Sequence, residues 1–361
     1  MTSITQQLHD LGQSLWLDNI TRAMLDDGTL RRYVERFSVT GLTSNPTIFD
    51  EAIAATAAYD VSIRELARSG LAGEDLFVEI ALQDLRRAAD ILRPVYEASD
   101  GADGWVSMEV SPLIADDTAA TVAAARRIHS QADRPNLFVK IPGTVAGLAA
   151  IEESIFAGVP INVTLLFSRE QYLAAAEAYL RGIERRLAAG LGARVESVAS
   201  LFVSRWDRAV AGRDPAPLEQ GLGVAIARRS YRTYRELLAS ARWRALADAG
   251  ARAQRLLWAS TGVKDPHARA SVYVEALAAP GTIDTMPEKT LLAFAADGRV
   301  GAALAEDGGD AEEVIARFGR AGVDVAALGT KLQVDGAAAF VTSWQNLLTR
   351  IAAKSAALED R

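Results

Sequence analysis

The side chains able to do chemistry on a small molecule are few in kind here. The 361 residues include no cysteine and only three histidines, His9, His129 and His267. Thiolate metal sites, disulfides and cysteine nucleophiles are excluded, and carboxylates, amines and hydroxyls remain. Several of these sit inside short apolar runs of strand length, where polar groups are unexpected. They are Asp18, Glu109, Lys140, Asn162, Thr164, Ser200 and Ser260. A lysine withdrawn from water has its ammonium disfavoured, which frees a neutral amine to attack a carbonyl and form a Schiff base. The iminium is an electron sink. An adjacent carbon–carbon bond can then break or form if a carboxylate moves the proton of the hydroxyl on the carbon being cleaved, and Asp18 and Glu109 are the candidates.

Each residue alone has an ordinary explanation. A lone lysine in a strand usually snorkels to solvent, a lone buried carboxylate usually serves a structural ion pair, and Asn45 before Pro46 is a natural helix N-cap. Phe202 and Trp258 read first as core aromatics. Convergence changes the reading, because burying an amine, two carboxylates and several amides together is unfavourable unless they serve each other or a ligand.

The elements that must bring them together follow from periodicity. Strand-length runs at residues 14–19, 39–45, 104–110, 136–141, 160–167, 197–203, 255–261 and 282–287 alternate with helical segments. Phe77, Ile80, Leu85, Ala88, Leu92 and Val95 form one apolar helical stripe, and Tyr172, Ala176, Tyr179, Ile183 and Leu187 another. Eight such βα units predict a closed (β/α)8 barrel with additional helices, notably C-terminal. The whole chain, 1–361, is expected to be one barrel domain with a helical extension from about residue 300.

Alternation within each run then gives a direction. Val106, Met108 and Val110 set one parity and leave Ser107 and Glu109 on the other; Leu137, Val139 and Ile141 leave Phe138 and Lys140. Leu15 and Leu17 leave Trp16 and Asp18. Ile161, Val163 and Leu165 leave Asn162 and Thr164, while Leu201 and Val203 leave Ser200 and Phe202. Ser260 is placed inward together with Trp258. The polar set should gather near the C-terminal mouth of the barrel, where such folds carry their sites.

Composition narrows the class of partner. Forty-six acidic against thirty-nine basic residues give a charge of −7, with no Lys/Arg block, so a nucleic-acid or anionic-membrane surface is not expected. The longest nearly apolar stretch, 155–167, is broken by Pro160, Asn162 and Thr164, and residues 1–11 lack an apolar core, so neither membrane span nor secretory leader is expected. A cytoplasmic protein is the expectation. Half the residues are hydrophobic, enough for a sizeable core. Oligomeric state, monomer or homodimer, is left open.

At this point the strings carry a resemblance. GLTSNPTIF at 41–49, VSMEV at 106–110, NLFVKIPGT at 136–144 and INVTLLFS at 161–168 are joined by SLFVSR at 200–205, WASTGVKDP at 258–266 and TMP at 285–287. The chain resembles the transaldolase family in its longer form, over residues 10–300 and in the right order. The resemblance implies a (β/α)8 barrel with Lys140 as the Schiff-base lysine on strand four and Asp18 as the proton-transferring carboxylate. It implies that Glu109 works with a water and Thr164 during Schiff-base formation and release. Asn45 and Asn162 match amides that hold the dihydroxyacetone hydroxyls, Ser200 and Phe202 line the same pocket, and Arg205 matches a sugar-phosphate ligand. Many members carry an arginine two residues after the serine of strand seven; here Ser260 is followed by Thr261 and Gly262, and Lys264 is assigned as the second phosphate ligand. No metal or organic cofactor is implied, and the partners are small sugar phosphates.

The implied reaction, in the pentose phosphate pathway, moves a dihydroxyacetone unit from sedoheptulose 7-phosphate or fructose 6-phosphate to glyceraldehyde 3-phosphate or erythrose 4-phosphate. Two rivals stand beside it: a fructose 6-phosphate aldolase and a non-catalytic phosphosugar-binding barrel. In the related aldolases the position of Phe202 resembles a tyrosine that assists protonation, so phenylalanine argues for transfer.

Overall fold

The computed structural model describes residues 2–213, 217 and 220–359. Its strands are β1 (Ser14–Leu17), β2 (Val39–Leu42), β3 (Val106–Glu109), β4 (Leu137–Pro142), β5 (Ile161–Leu166), β6 (Ser197–Phe202), β7 (Arg255–Ala259) and β8 (Ile283–Met286). All eight expected runs contain strands, most of them shorter than expected at one or both ends. They pair in parallel in the order β2-β1-β8-β7-β6-β5-β4-β3. The remaining gap, β2 to β3, is closed by a parallel bridge between Gly41 and Trp105, with the Leu42 N–H on the Trp105 carbonyl at 2.9 Å and the Gly104 N–H on the Thr40 carbonyl at 2.7 Å. The sheet is therefore a barrel, as the spacing of the runs predicts.

Two apolar cores result. One lies between strands and helices, where Leu15, Leu17, Val106, Met108, Val139 and Ile141 meet the helix stripes. Phe77, Ile80, Leu85, Ala88 and Leu92 of helix Gly73–Ala98 are buried there, as are Tyr172, Ala176, Tyr179 and Ile183 of helix Arg169–Ala188. Ser168 starts the latter helix in a capping box with Gln171, which satisfies backbone N–H groups that have no partner within the helix. The second core fills the barrel itself with Trp16, Trp105, Phe138, Val198, Leu257 and Ile283. Trp105 stacks on Phe138 at 4.0 Å. Gly41 makes room for this layer: a Cβ there would lie 2.5 Å from the Trp16 ring.

The floor of this inner core is polar, and its carboxylate Asp103 is engaged at both oxygens. Asp103 accepts from Trp16 Nε1 at 2.9 Å and from Ser14 Oγ at 2.5 Å, while Arg255 donates to Ser14 Oγ at 2.6 Å and to the Thr282 carbonyl at 2.8 Å. Ser14, Asp103, Arg255 and Thr282 sit at or before the N-terminal ends of their strands, opposite the mouth.

Of the residues whose direction alternation predicts, two face the other way. Trp258 packs outward, among the helices, and donates its Nε1 hydrogen to Leu277 O, while Leu257 and Ala259 face inward. Ser260 follows the end of β7 in the left-handed region, φ 57°, so parity counted back from it misplaces Trp258. Leu165, expected outside, packs inside with Phe167 and Phe202, because its φ of 59° turns the chain within β5.

Glu288–Asp297 follows β8 as the last barrel helix, and beyond residue 300 stand Ala311–Arg320 and the long helix Val325–Glu359. The last crosses the C-terminal mouth. Near its start Gly329 passes over Trp206; further along Gln333 reaches the ends of β4 and β5; Trp344 packs edge-on against Phe77 at 5.0 Å. Lys354 then donates to the carbonyls of Ile53 and Thr56, each at 2.7 Å, and Arg350 pairs with Asp50.

Candidate active site

At the mouth, Lys140 Nζ lies 2.6 Å from Glu109 Oε1 and 3.1 Å from the Ser44 carbonyl. Both charged residues are nearly buried, at 7% and 6% exposure. Their adjacency follows from register, since β3 and β4 align Glu109 opposite Lys140. Glu109 Oε2 accepts from Ser44 Oγ at 2.9 Å, so the carboxylate is held at both oxygens. A buried amine beside a fixed carboxylate is an arrangement that can exchange a proton without solvent.

Below the lysine, Asn162 is clamped between strands. Its Nδ2 donates to Ser107 Oγ at 3.2 Å and its Oδ1 accepts from Ser200 Oγ at 2.7 Å, which leaves one amide hydrogen unused. Thr164, two residues on, is buried, and its Oγ1 makes no hydrogen bond among the described residues. Ser154 and Tyr172 also bury unpartnered hydroxyls, in helices; Thr164 differs in standing two residues beyond Asn162 on β5, the strand that pairs with the Lys140 strand.

Asp18 lies at the end of β1, partly buried, with Oδ1 accepting from Thr43 Oγ1 at 2.9 Å. Thr43 Oγ1 also lies 2.8 Å from Thr285 Oγ1. Desolvation pushes the Asp18 carboxyl above its ordinary range, opposed by the Lys140 charge, the Thr43 hydrogen bond and, more weakly, Lys264. Asp18, Glu109, Lys140, Asn162, Thr164 and Ser200 are thus gathered at the mouth.

Around them stand the remaining sequence-derived residues. Asn45 caps helix Pro46–Ala55, its Oδ1 accepting from Thr47 N at 2.9 Å, and among the described residues its amide nitrogen makes no hydrogen bond. Phe202 is 8% exposed and lies 5.2 Å from Phe167, with the Arg205 guanidinium 5.1 Å above its ring. Arg205 is half-buried and has no ion pair or hydrogen bond among the described residues, and burial lowers its pKa. An unpaired, partly desolvated guanidinium is suited to an anion. Ser260 is half-buried and shares a hydrogen bond with Ser204 Oγ at 2.9 Å, between the ends of β6 and β7. Lys264 is exposed on the following loop and forms no ion pair among the described residues.

Sequence reasoning overlooked several participants. Thr43 and Ser44 lie within the GLTSNPTIF string and were legible as polar residues at a strand end, whereas the Ser44 carbonyl that accepts from Lys140 has no residue-type signal. Outside the site it also overlooked Asp284. This fully buried β8 carboxylate alternates with inward Ile283 and Thr285, takes a 2.8 Å hydrogen bond from Thr261 Oγ1 and leaves Oδ2 unpartnered; burial pushes it up to about 7.

Fold and site together define a (β/α)8-barrel protein with a buried lysine–carboxylate pair at its C-terminal mouth. Residues 15–351 match the family model described as transaldolase/fructose-6-phosphate aldolase, and the chain belongs to that family. It is 45% identical to a Thermobifida fusca protein named transaldolase, over 99% of this chain and all of that one. Transaldolase 1 of Streptomyces coelicolor is 44% identical over 96% of this chain and 93% of its own length, and a Parafrankia transaldolase is 43% identical over 97% and 98%.

Proposed function

We propose that the protein is a transaldolase acting through a Schiff base on Lys140, on the single observation that Lys140, Glu109 and an unpartnered Thr164 hydroxyl share one buried mouth. Glu109 takes the ammonium proton, and the neutral amine adds to the ketone carbon of sedoheptulose 7-phosphate or fructose 6-phosphate. Loss of water from the carbinolamine, with Glu109 and Thr164 passing protons through a water, gives the iminium. Asp18 then removes the proton of the hydroxyl beyond the bond to be cleaved. The carbon–carbon bond breaks, its electrons enter the iminium as an enamine, and an aldose phosphate leaves. The raised pKa of Asp18 suits a group that must both accept and return a proton.

Asn45 and Asn162 hold the hydroxyls of the retained unit, Ser200 and Ser260 line its pocket, and Arg205 with Lys264 binds the phosphate. The enamine must then meet glyceraldehyde 3-phosphate or erythrose 4-phosphate before it is protonated by water. The long helix across the mouth and the apolar ring of Phe202 favour this by limiting access and by offering no acidic hydroxyl. A net charge of −7 and the absence of any helix, among the described residues, long and apolar enough to cross a membrane fit a cytoplasmic enzyme of small sugar phosphates.

Borohydride reduction with fructose 6-phosphate, followed by peptide mass analysis, tests the mechanism: a dihydroxyacetone-sized adduct on Lys140 is expected, and active enzyme with no adduct would contradict it. The matched family also includes aldolases, and Phe202→Tyr separates the two activities. The variant is expected to release more free dihydroxyacetone relative to transfer; an unchanged ratio removes Phe202 from that role.

A further inference from the structure

We propose that Gln333, on the helix that crosses the mouth, is a positioning residue for the Thr164 hydroxyl; the inference rests on the lysine mechanism given above. β5 does not run straight to its end. Its register with β6 slips between Val163 and Leu166, and Leu165 adopts a φ of 59°, a left-handed conformation unfavourable for a leucine. Such a residue persists only where its surroundings hold it there.

One turn of the long helix supplies the hold. Gln333 Nε2 donates to the Leu165 carbonyl and to the Gly143 carbonyl, both at 3.0 Å, which uses both amide hydrogens. Three residues later Gly336 leaves space for the Leu165 side chain, whose Cδ2 lies 3.1 Å from where a Cβ would stand. Thr164 sits between these contacts: its carbonyl accepts from the Gly143 N–H at 2.7 Å, and its hydroxyl is buried without a partner. Gln333 therefore ties the end of β4, which carries Lys140, to the bend of β5, which aims Thr164.

Attachment of the helix does not need this contact. Lys354 on the Ile53 and Thr56 carbonyls, Arg350 on Asp50 and Trp344 against Phe77 already dock its second half. A side chain that spends both donors on the backbone around a proton-transferring hydroxyl acts on that hydroxyl's placement, and small misplacements in such a site lower rates steeply.

The test compares Gln333→Leu, Thr164→Ala and the double variant in borohydride trapping with fructose 6-phosphate and in steady-state transfer to erythrose 4-phosphate. Gln333→Leu is expected to slow trapping and kcat about tenfold, with the donor KM changed less than about twofold. The double variant is expected to be no slower than Thr164→Ala, because the amide acts through that hydroxyl. Wild-type trapping in Gln333→Leu, or losses that multiply in the double variant, overturns the inference. Should the leucine variant not fold, Gln333→Met, which keeps the length and removes the donors without adding charge, carries the same expectations and the same refutation. A wild-type enzyme that forms no Lys140 adduct overturns the mechanism and this inference with it, whereas a normal wild-type adduct undiminished in the variants overturns this inference alone.

Discussion

The two ends of the barrel both bury charge, and they treat it differently. At the floor, Asp103 receives hydrogens from Trp16 and Ser14 and has Arg255 3.7 Å away, so its charge is fully answered by protein. At the mouth, Thr164 lacks any partner among the described residues, Asp18 is held at one oxygen with its pKa raised, and Arg205 stands unpaired over an aromatic ring. Satisfied polar groups make a barrel rigid, and unsatisfied ones are maintained against folding so that a substrate can satisfy them. Neither burial nor an unanswered atom marks a site alone, since Gln13, Asn136 and Gln254 near the floor and Asp284 on β8 also leave an oxygen without a partner among the described residues; what marks the mouth is the convergence of such groups on the Lys140–Glu109 pair.

The contrast breaks most sharply at Asp18. Asp18→Asn is expected to lower kcat about a thousandfold while the borohydride adduct on Lys140 still forms. The same variant should melt no lower than the wild type at neutral pH, because desolvation of the carboxylate opposes folding and the amide removes it. Unchanged turnover removes Asp18 from proton transfer, and a large drop in melting temperature makes it structural.

The floor should behave in the opposite way. Asp103→Ala strands the Trp16 and Ser14 donors and leaves Arg255 without its nearest carboxylate, and is expected to lower unfolding free energy by about 3 kcal/mol with kcat within about twofold. Urea midpoints and steady-state rates on one preparation decide this. A rate loss larger than the stability loss would erase the distinction between the ends.

Asp284 sharpens the comparison, being a buried carboxylate with an unpartnered oxygen that points away from the mouth. Its folded-state pKa of about 7 exceeds the ordinary 3.8, so the folded protein binds the proton more tightly than the unfolded chain. Its contribution to stability is full below about pH 4 and is lost as pH rises through 7, with a slope of up to about 1.4 kcal/mol per pH unit. Asp284→Asn is expected to flatten the pH dependence of the urea midpoint in that window. An unchanged slope places the proton elsewhere.

Much of this was legible without coordinates, for a physical reason that can be traced residue by residue. The alternation of Leu137, Val139 and Ile141 with Phe138 and Lys140 records which side of a strand meets the helices, and the same period set Glu109 beside Lys140 once β3 and β4 paired in parallel. Where the backbone left the strand conformation, that rule lost its meaning. Leu165 and Ser260 have positive φ, and the expectations for Leu165 itself and for Trp258, counted back from Ser260, failed there.

The barrel, its two apolar surfaces and the residue types that converge at the mouth were readable along the chain, because local periodicity and hydrophobic burial are properties of short segments. Tertiary structure alone decided which groups at that mouth are satisfied. The Ser44 carbonyl on Lys140, the Thr43 hydroxyl on Asp18 and the Gln333 amide, which bridges β4 and β5 from 168 residues beyond Leu165, depend on directions and separations that no segment encodes alone.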